Sequence, residues 1–433
     1  MNSRAWAVAA LLPCALACSS PALVRPTEGD CSRADARFWL DKATTSLVIH
    51  PYQPKAVYDQ DARNRPVPVT LGNLPPDSTA ALSYPYPQRF EGGQPGFLMM
   101  RGRSFVYDDA LVALWLTSQG DRDGARRILQ TLAALQRPDG AWGFGFQVDG
   151  DGFYNASYVR TGTCAWALYA LARWQKATQD QRFQPQIERG VRWLLAQKHG
   201  GNGLYDAGVG RWTDDAHFDP AFVAGFAATE HQIDAWFALQ AVADAAPELD
   251  AVLHLRIAAA DLAGAIERGL WLQKDERYAQ GRTRQYPDFH SALDASGTWA
   301  ALYALAAVNP GRAQDVLAFV QEHHPIEIAG WQGLRPYQDE PPDTWFVEGS
   351  LARPLALHRL GQTEAAQKAL QPFADLACAG GVPLVYSPVW AQDFPLSPAT
   401  APTVWFLFTA SEIAGGQAPF LWNERARPAV VGR

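Results

Sequence analysis

The stretch TEHQIDAWFAL (residues 229–239) decides the fold: a threonine, an acid and a short polar run lead into an apolar segment rich in alanine, leucine and aromatics. The layout recurs in YDDALVAL (107–114), TGTCAWALYAL (161–171), LDASGTWAALYAL (293–305), VEGSLARPLAL (347–357) and TAPTVWFLF (400–408). Four of these six openings carry an acidic residue. They recur at intervals of roughly 50 to 70 residues, room for two ordinary helices and a long loop. Each of the first five is followed by a second helical stretch.

The expected pairs are 105–117 with 122–135, 163–176 with 184–198, 230–245 with about 250–272, 295–307 with 312–322, and 348–360 with 364–376. First members such as AWALYALARW are apolar all round, as buried helices are. Second members such as QIERGVRWLLAQ carry a polar stripe and belong at the surface. The sixth opening, 400–414, lacks a full partner, and an unpaired amphipathic stretch, 33–47, precedes the first pair. Pairing those two completes six hairpins and closes a ring. The expected fold is therefore all-α, an (α/α)6 barrel with parallel inner helices whose N-termini share one mouth with the long aromatic loops.

With 433 residues, 48% hydrophobic and 19% charged, and no Ser/Gly linker or charge block, the chain reads as one toroid over residues 33–433 with a Pro-rich strap at 51–95. A net charge of −7 without a basic stripe argues against nucleic acid as a partner. Residues 1–17 read as an export signal, with one positive charge and an apolar core too short to span a bilayer. ALAC (15–18) resembles a lipoprotein processing box, which makes Cys18 the lipidated residue, 18–32 a tether, and the bacterial cell envelope the expected location, with plain secretion the alternative. Cys164 reads as a small core residue. Ring closure brings Cys31 and Cys378 towards one another, where an oxidising compartment would permit a disulfide. No CxxC or HExxH spacing occurs. No cofactor or metal is called for, although carboxylates around a cleft can hold Ca²⁺.

The geometry turns scattered acids into a constellation. Asp108, Asp109, Glu230, Asp294 and Glu348 all fall at inner-helix N-termini. Capping explains any one of them, at about 1 kcal/mol. Five around one mouth exceed that need, and mutual repulsion in a half-dry cleft separates their pKa values, as acid/base work requires. Loop aromatics, among them Trp142, Trp331, Trp345 and Trp390, are expected at the same end as platforms for sugar rings.

The phrases LAALQRPDGAWGF (132–144), TEHQIDAW, LDASGTWAALYAL and VEGSLARPLAL together resemble the six-hairpin glycosidase-like superfamily over roughly residues 104–415. The resemblance implies poly- or oligosaccharide substrates and catalytic carboxylates at inner-helix N-termini. By position these are Asp108 or Asp109, Glu230, Asp294 and Glu348. On this reading Glu230 is the general acid and Asp109 or Asp294 the base. Tyr107, Asp108, Trp142, Arg160, His231, Gln232, Asp234, Glu348, Trp331, Trp345 and Trp390 are then binding or supporting groups. The stretch RRILQTLAALQRPDGAWGF (126–144) is also similar to the QW repeats of terpene cyclases, but neither DxDD nor DDxxD is present. A lyase using Tyr107, Tyr158, Arg160 or His231, an epimerase using His231 and His290, and a non-catalytic glycan-binding factor in exopolysaccharide assembly or export are the remaining alternatives.

Overall fold

A computed structural model describes residues 36, 58–60, 66–68, 81–86, 103–147, 158–198, 201–212, 218–338, 343–377, 380–387, 396–415 and 418–426. The signal segment with Cys18, the tether, Cys31, Cys378, Trp390, most of the strap, and the stretch 33–47 apart from a buried Ala36 lie outside the described residues.

The helices are α1 (Val106–Ser118), α2 (Arg122–Leu135), α3 (Thr161–Thr178), α4 (Gln184–Ala196), α5 (Thr229–Ala245), α6 (Pro247–Leu253), α7 (Leu255–Gly269), α8 (Trp299–Ala307), α9 (Pro310–His323), α10 (Val347–Arg359), α11 (Thr363–Ala377) and α12 (Thr400–Ile413). A π-helical turn, Leu293–Thr298, leads directly into α8. Neighbour contacts run α1, α3, α5, α8, α10, α12 and back to α1, so the inner helices form a closed ring. α1 and α12 are buried along nearly their whole length. On α2 only Ala125, Ile128, Leu129, Thr131, Leu132 and Leu135 are buried, a single stripe facing the ring. The architecture is an all-α (α/α)6 barrel.

Two expected helices differ in detail. The third outer helix breaks at His254, which adopts a left-handed φ of 55°, and the chain after Gly269 enters a short strand, Trp271–Leu272. Arg256 fastens the break by pairing with Asp244 at 2.9 Å and also with Asp250. The fourth inner helix opens as a π-turn. There Gly297 passes so close to α9 that an added Cβ would lie 2.4 Å from Val320 Cγ2.

Short strands organise the mouth. Arg103–Phe105 pairs with Gly145–Gln147, Val159–Arg160 with the strand starting at Gly208, Ala227–Ala228 with Gly281–Arg282, and Trp345–Phe346 with Val385–Tyr386. Four inner helices, α1, α3, α5 and α10, are thereby tied to the loops that leave their own outer helices. The first N–H groups of the inner helices donate to loop carbonyls: Val106 to Phe144 at 3.3 Å, Thr161 to Ala207 at 2.9 Å, Thr229 to Gln280 at 3.0 Å, and Leu293 to Pro336 at 2.8 Å. In α10 the corresponding bond runs from Glu348 to Leu384 at 3.3 Å. For α12 this part is played by Pro85, which accepts from Thr400 N at 2.8 Å. Segment 81–86 thus bonds both to the start of α12 and, through Ser83, to Asp109 of α1.

Candidate active site

Loop carbonyls satisfy the starts of the inner helices, and none of these helices has a side-chain cap. Conventional caps occur on outer helices instead, from Asp121 on α2 and Asn309 on α9. The acids at the inner N-termini are therefore free for other work, with local exceptions. Asp108 accepts backbone N–H groups from its own residue and from Ala401, and so ties α1 to α12. Asp294 accepts from Ala295 N at 2.7 Å.

Glu230, Asp294 and Glu348 stand on three successive inner positions of the ring. The carboxyls of Glu230 and Asp294 are hydrogen-bonded to one another. Two carboxyls in such contact hold one proton between them, and burial together with the Asp294 charge raises Glu230 well above the ordinary carboxylate range. Glu230 nevertheless keeps 37% of its side-chain surface open, so it faces the cleft and not the core. Asp294 is likewise partly exposed, whereas Glu348, Asp108 and Asp234 are buried.

Glu348 is held by a relay. Trp405 Nε1 donates to Tyr107 Oη at 2.8 Å, and Tyr107 Oη donates to Glu348 Oε1 at 2.5 Å. Burial raises the Glu348 carboxyl to about 7 against the lowering effect of the Tyr107 bond. Asp234, one turn below Glu230, accepts a bond from Trp166 and is pushed up by burial and by the Glu230 charge. Its Oδ1 has no partner. Gly162 of α3 lies against this group: a Cβ there would sit 2.4 Å from His231 Cδ2 and 2.7 Å from Asp234 Oδ2. His231 Nε2 is 3.5 Å from Glu230 Oε1, and burial with the nearby Arg160 charge lowers the imidazole to about 3, so it is neutral.

Below the acids lies an aromatic floor. Trp299 stacks on Trp405 at 5.6 Å, and Trp166 meets both edge-on at 6.4 and 6.2 Å. Trp422, from the segment after the last helix, enters from beneath and contacts Trp166 at 5.1 Å and Phe237 at 4.7 Å.

Several residues expected at the mouth lie elsewhere. Asp109 is fully buried: Ser83 Oγ donates to its Oδ1 at 2.7 Å, Ser83 N donates to the same atom, and Ser104 Oγ donates to Oδ2 at 2.8 Å. It fastens segment 81–86 to α1. Trp142 is fully buried, donating through Nε1 to Leu132 O at 2.8 Å with Gly190 beneath its ring. Trp345 is buried, with Nε1 donating to Ser350 Oγ at 3.2 Å, and Trp331 packs on it at 6.3 Å. Gln232 is buried and holds Tyr205 through both its amide atoms. Two of the tryptophans sit where glycines leave room for their rings, Trp142 against Gly190 and Trp345 against Gly333. Cys164 is buried as expected. Arg160 remains at the mouth, half-buried. Trp166, Trp299 and Trp405 were missed, although a tryptophan recurs about five residues into three of the six openings.

No family model matches the chain, and no curated protein matches it. Among solved structures it is similar to a wild-type glycosidase (TM-score 0.57, 14% identity, 89% of this chain and 98% of that one). It is likewise similar to a D-mannose isomerase (0.57, 13%, 89% and 98%) and to an α-amylase from Clostridium perfringens (0.56, 10%, 88% and 98%). At such identities the likeness establishes the toroid fold.

Proposed function

We propose that the chain is a carbohydrate-active enzyme that hydrolyses O-glycosidic bonds in a poly- or oligosaccharide. The observation that carries the reading is the unequal state of three neighbouring carboxyls: a proton-sharing Glu230–Asp294 pair open to the cleft, and a separate Glu348 held by Tyr107. Glycoside hydrolysis needs one protonated and one ionised carboxyl on either side of the bond, at least about 5 Å apart. Glu230 and Asp294 are too close to flank a bond, so they act together on one side, with Glu230 bearing the proton. Glu348 takes the other side. Glu348 accepts a proton from water as the water oxygen attacks the anomeric carbon; the glycosidic C–O bond breaks, and the leaving oxygen takes the Glu230 proton. Asp109, expected as an alternative base, serves instead as a structural acid.

The state of His231 favours hydrolysis over proton abstraction from the sugar ring. An imidazole at about 3 gives little driving force to a general base at neutral pH. Similar folds belong to a glycosidase, a D-mannose isomerase and an α-amylase, which supports a sugar ligand.

The test is reducing-end release from a panel of bacterial and plant polysaccharides by wild type, E230Q and E348Q. Each substitution is expected to lower kcat by about 10²–10⁴-fold while binding survives. Binding without release by the wild type would favour a glycan-binding factor.

A further inference from the structure

Arg160 is a charge beside the site that has no counterion among the described residues. It immediately precedes α3, two residues before the glycine that packs on His231 and Asp234. Its guanidinium stacks over the Tyr158 ring at 4.4 Å. Nη1 donates to Val159 O at 3.1 Å and to Gly210 O at 3.2 Å. Among the described residues no carboxylate pairs with it, and its charge is felt by His231. Most other half-buried arginines in the barrel have acidic partners: Arg173 meets Glu424 at 2.6 Å, Arg312 meets Glu267 at 2.8 Å, and Arg359 meets Glu412 at 2.8 Å.

A half-buried guanidinium without a counterion is costly unless a ligand completes it. The protein occupies the Nη1 end, which leaves Nε–H and Nη2–H. These two parallel donors form the fork that matches the two oxygens of a carboxylate. The neighbouring acids are no obstacle, because burial favours their neutral forms and Glu230 shares its proton with Asp294. Asp234, only 5% exposed, keeps an unpartnered Oδ1 buried beneath this site. The strand that pairs with Val159–Arg160 also carries Arg211, which stacks on Phe222 at 4.3 Å and pairs with Asp219 at 3.8 Å.

We propose that Arg160 is the receptor for a carboxylate on the substrate, so that the saccharide taken is acidic, a uronate-containing oligomer. This rests on the saccharide reading above and narrows it. Side-on binding also explains why an arginine, rather than a lysine, stacks on Tyr158.

The experiment is calorimetric titration of the full chain with galacturonate, glucuronate, mannuronate and guluronate trimers, each beside its carboxyl-reduced counterpart. Wild type, R160Q and R160K are compared after thermal melts show them folded. The expected result is that wild type binds at least one acidic trimer about tenfold or more tighter than its reduced form. R160Q removes that ratio without weakening the reduced trimer, and R160K keeps part of it. A ratio near one in the wild type, no binding of any acidic trimer, or an equal loss on both ligands in R160Q overturns the proposal. An O-sulfated neutral trimer preferred over every uronate, through Arg160, overturns the carboxylate assignment in favour of sulfate. Reducing-end release is read separately. Acid preference without release sinks hydrolysis and leaves the receptor; release without acid preference does the reverse.

Discussion

Tyr107 links two side chains that lie far apart in sequence: it donates to Glu348 and accepts from Trp405. Its bond stabilises the ionised form of Glu348 and pulls that carboxyl down towards about 7. Tyr107→Phe removes this pull, so the acidic limb of the kcat/KM profile should move to higher pH. At pH 6 activity should fall roughly tenfold or more, with recovery at alkaline pH. An unshifted limb would take Glu348 out of the base role. Asp109 provides the contrasting case, an acid raised to about 7 chiefly by burial and held by Ser83 and Ser104. A carboxyl whose folded pKa is raised binds its proton more tightly in the native state. Its contribution to stability is full below about 4 and is lost as pH rises through about 7, by at most about 1.4 kcal/mol per pH unit. Asp109→Asn should flatten the fall of Tm between about pH 4 and pH 7 and retain activity on any substrate found. An inactive but folded D109N would return Asp109 to the chemistry. That an acid stands at residue 109 was legible in the sequence. That two serines enclose it was not, because Ser83 comes from a segment with no periodic signal.

At the scale of elements, most of the described hairpins were legible to within a few residues, since helices that are apolar all round or on one stripe have only one way to be buried. The π-turn at Leu293–Thr298 was not legible, because it follows from the meeting of Gly297 and Val320 between two helices. That turn carries Asp294 to Glu230. Gly297→Ala should cost roughly 1–3 kcal/mol by overpacking and lower kcat by displacing Asp294. Adding Val320→Ala should restore both Tm and kcat. If the double variant recovers stability without rate, the turn does not position Asp294. The QRPDGAW loop teaches a related point. Its tryptophan looked like a sugar platform, yet Gln136 donates to Gly140 O and Gln186 O at 3.0 Å, and Trp142 is locked beneath Gly190. Glycines flanking an aromatic signalled close packing as much as an open loop.

For the whole molecule, the end of the barrel opposite the mouth is closed by residues 418–426. Trp422, at a left-handed φ of 49°, seats its ring among Trp166, Trp299, Trp405 and Phe237. Arg359 Nη1 donates to Trp422 O at 2.6 Å, and Arg173 and Tyr169 hold Glu424 at 2.6 and 3.0 Å. Trp422→Ala should destabilise the fold by about 3–5 kcal/mol, read as a lower denaturant midpoint. A midpoint within error of wild type would show that the tail does not support the aromatic floor. The plug fills the space beneath the floor with a ring that stacks on Trp166 and Phe237 and meets Trp299 and Trp405 edge-on. The class of fold, the inner and outer ranks of helices and the acids at one mouth were readable from the order of residues alone. These depend on the period of apolar residues and on parallel helices in a closed ring. Which acids touch, which are sealed and where the tryptophans face came from packing in three dimensions. Those outcomes depend on contacts between residues tens to hundreds of positions apart, as between Tyr107 and Glu348, which no local period encodes.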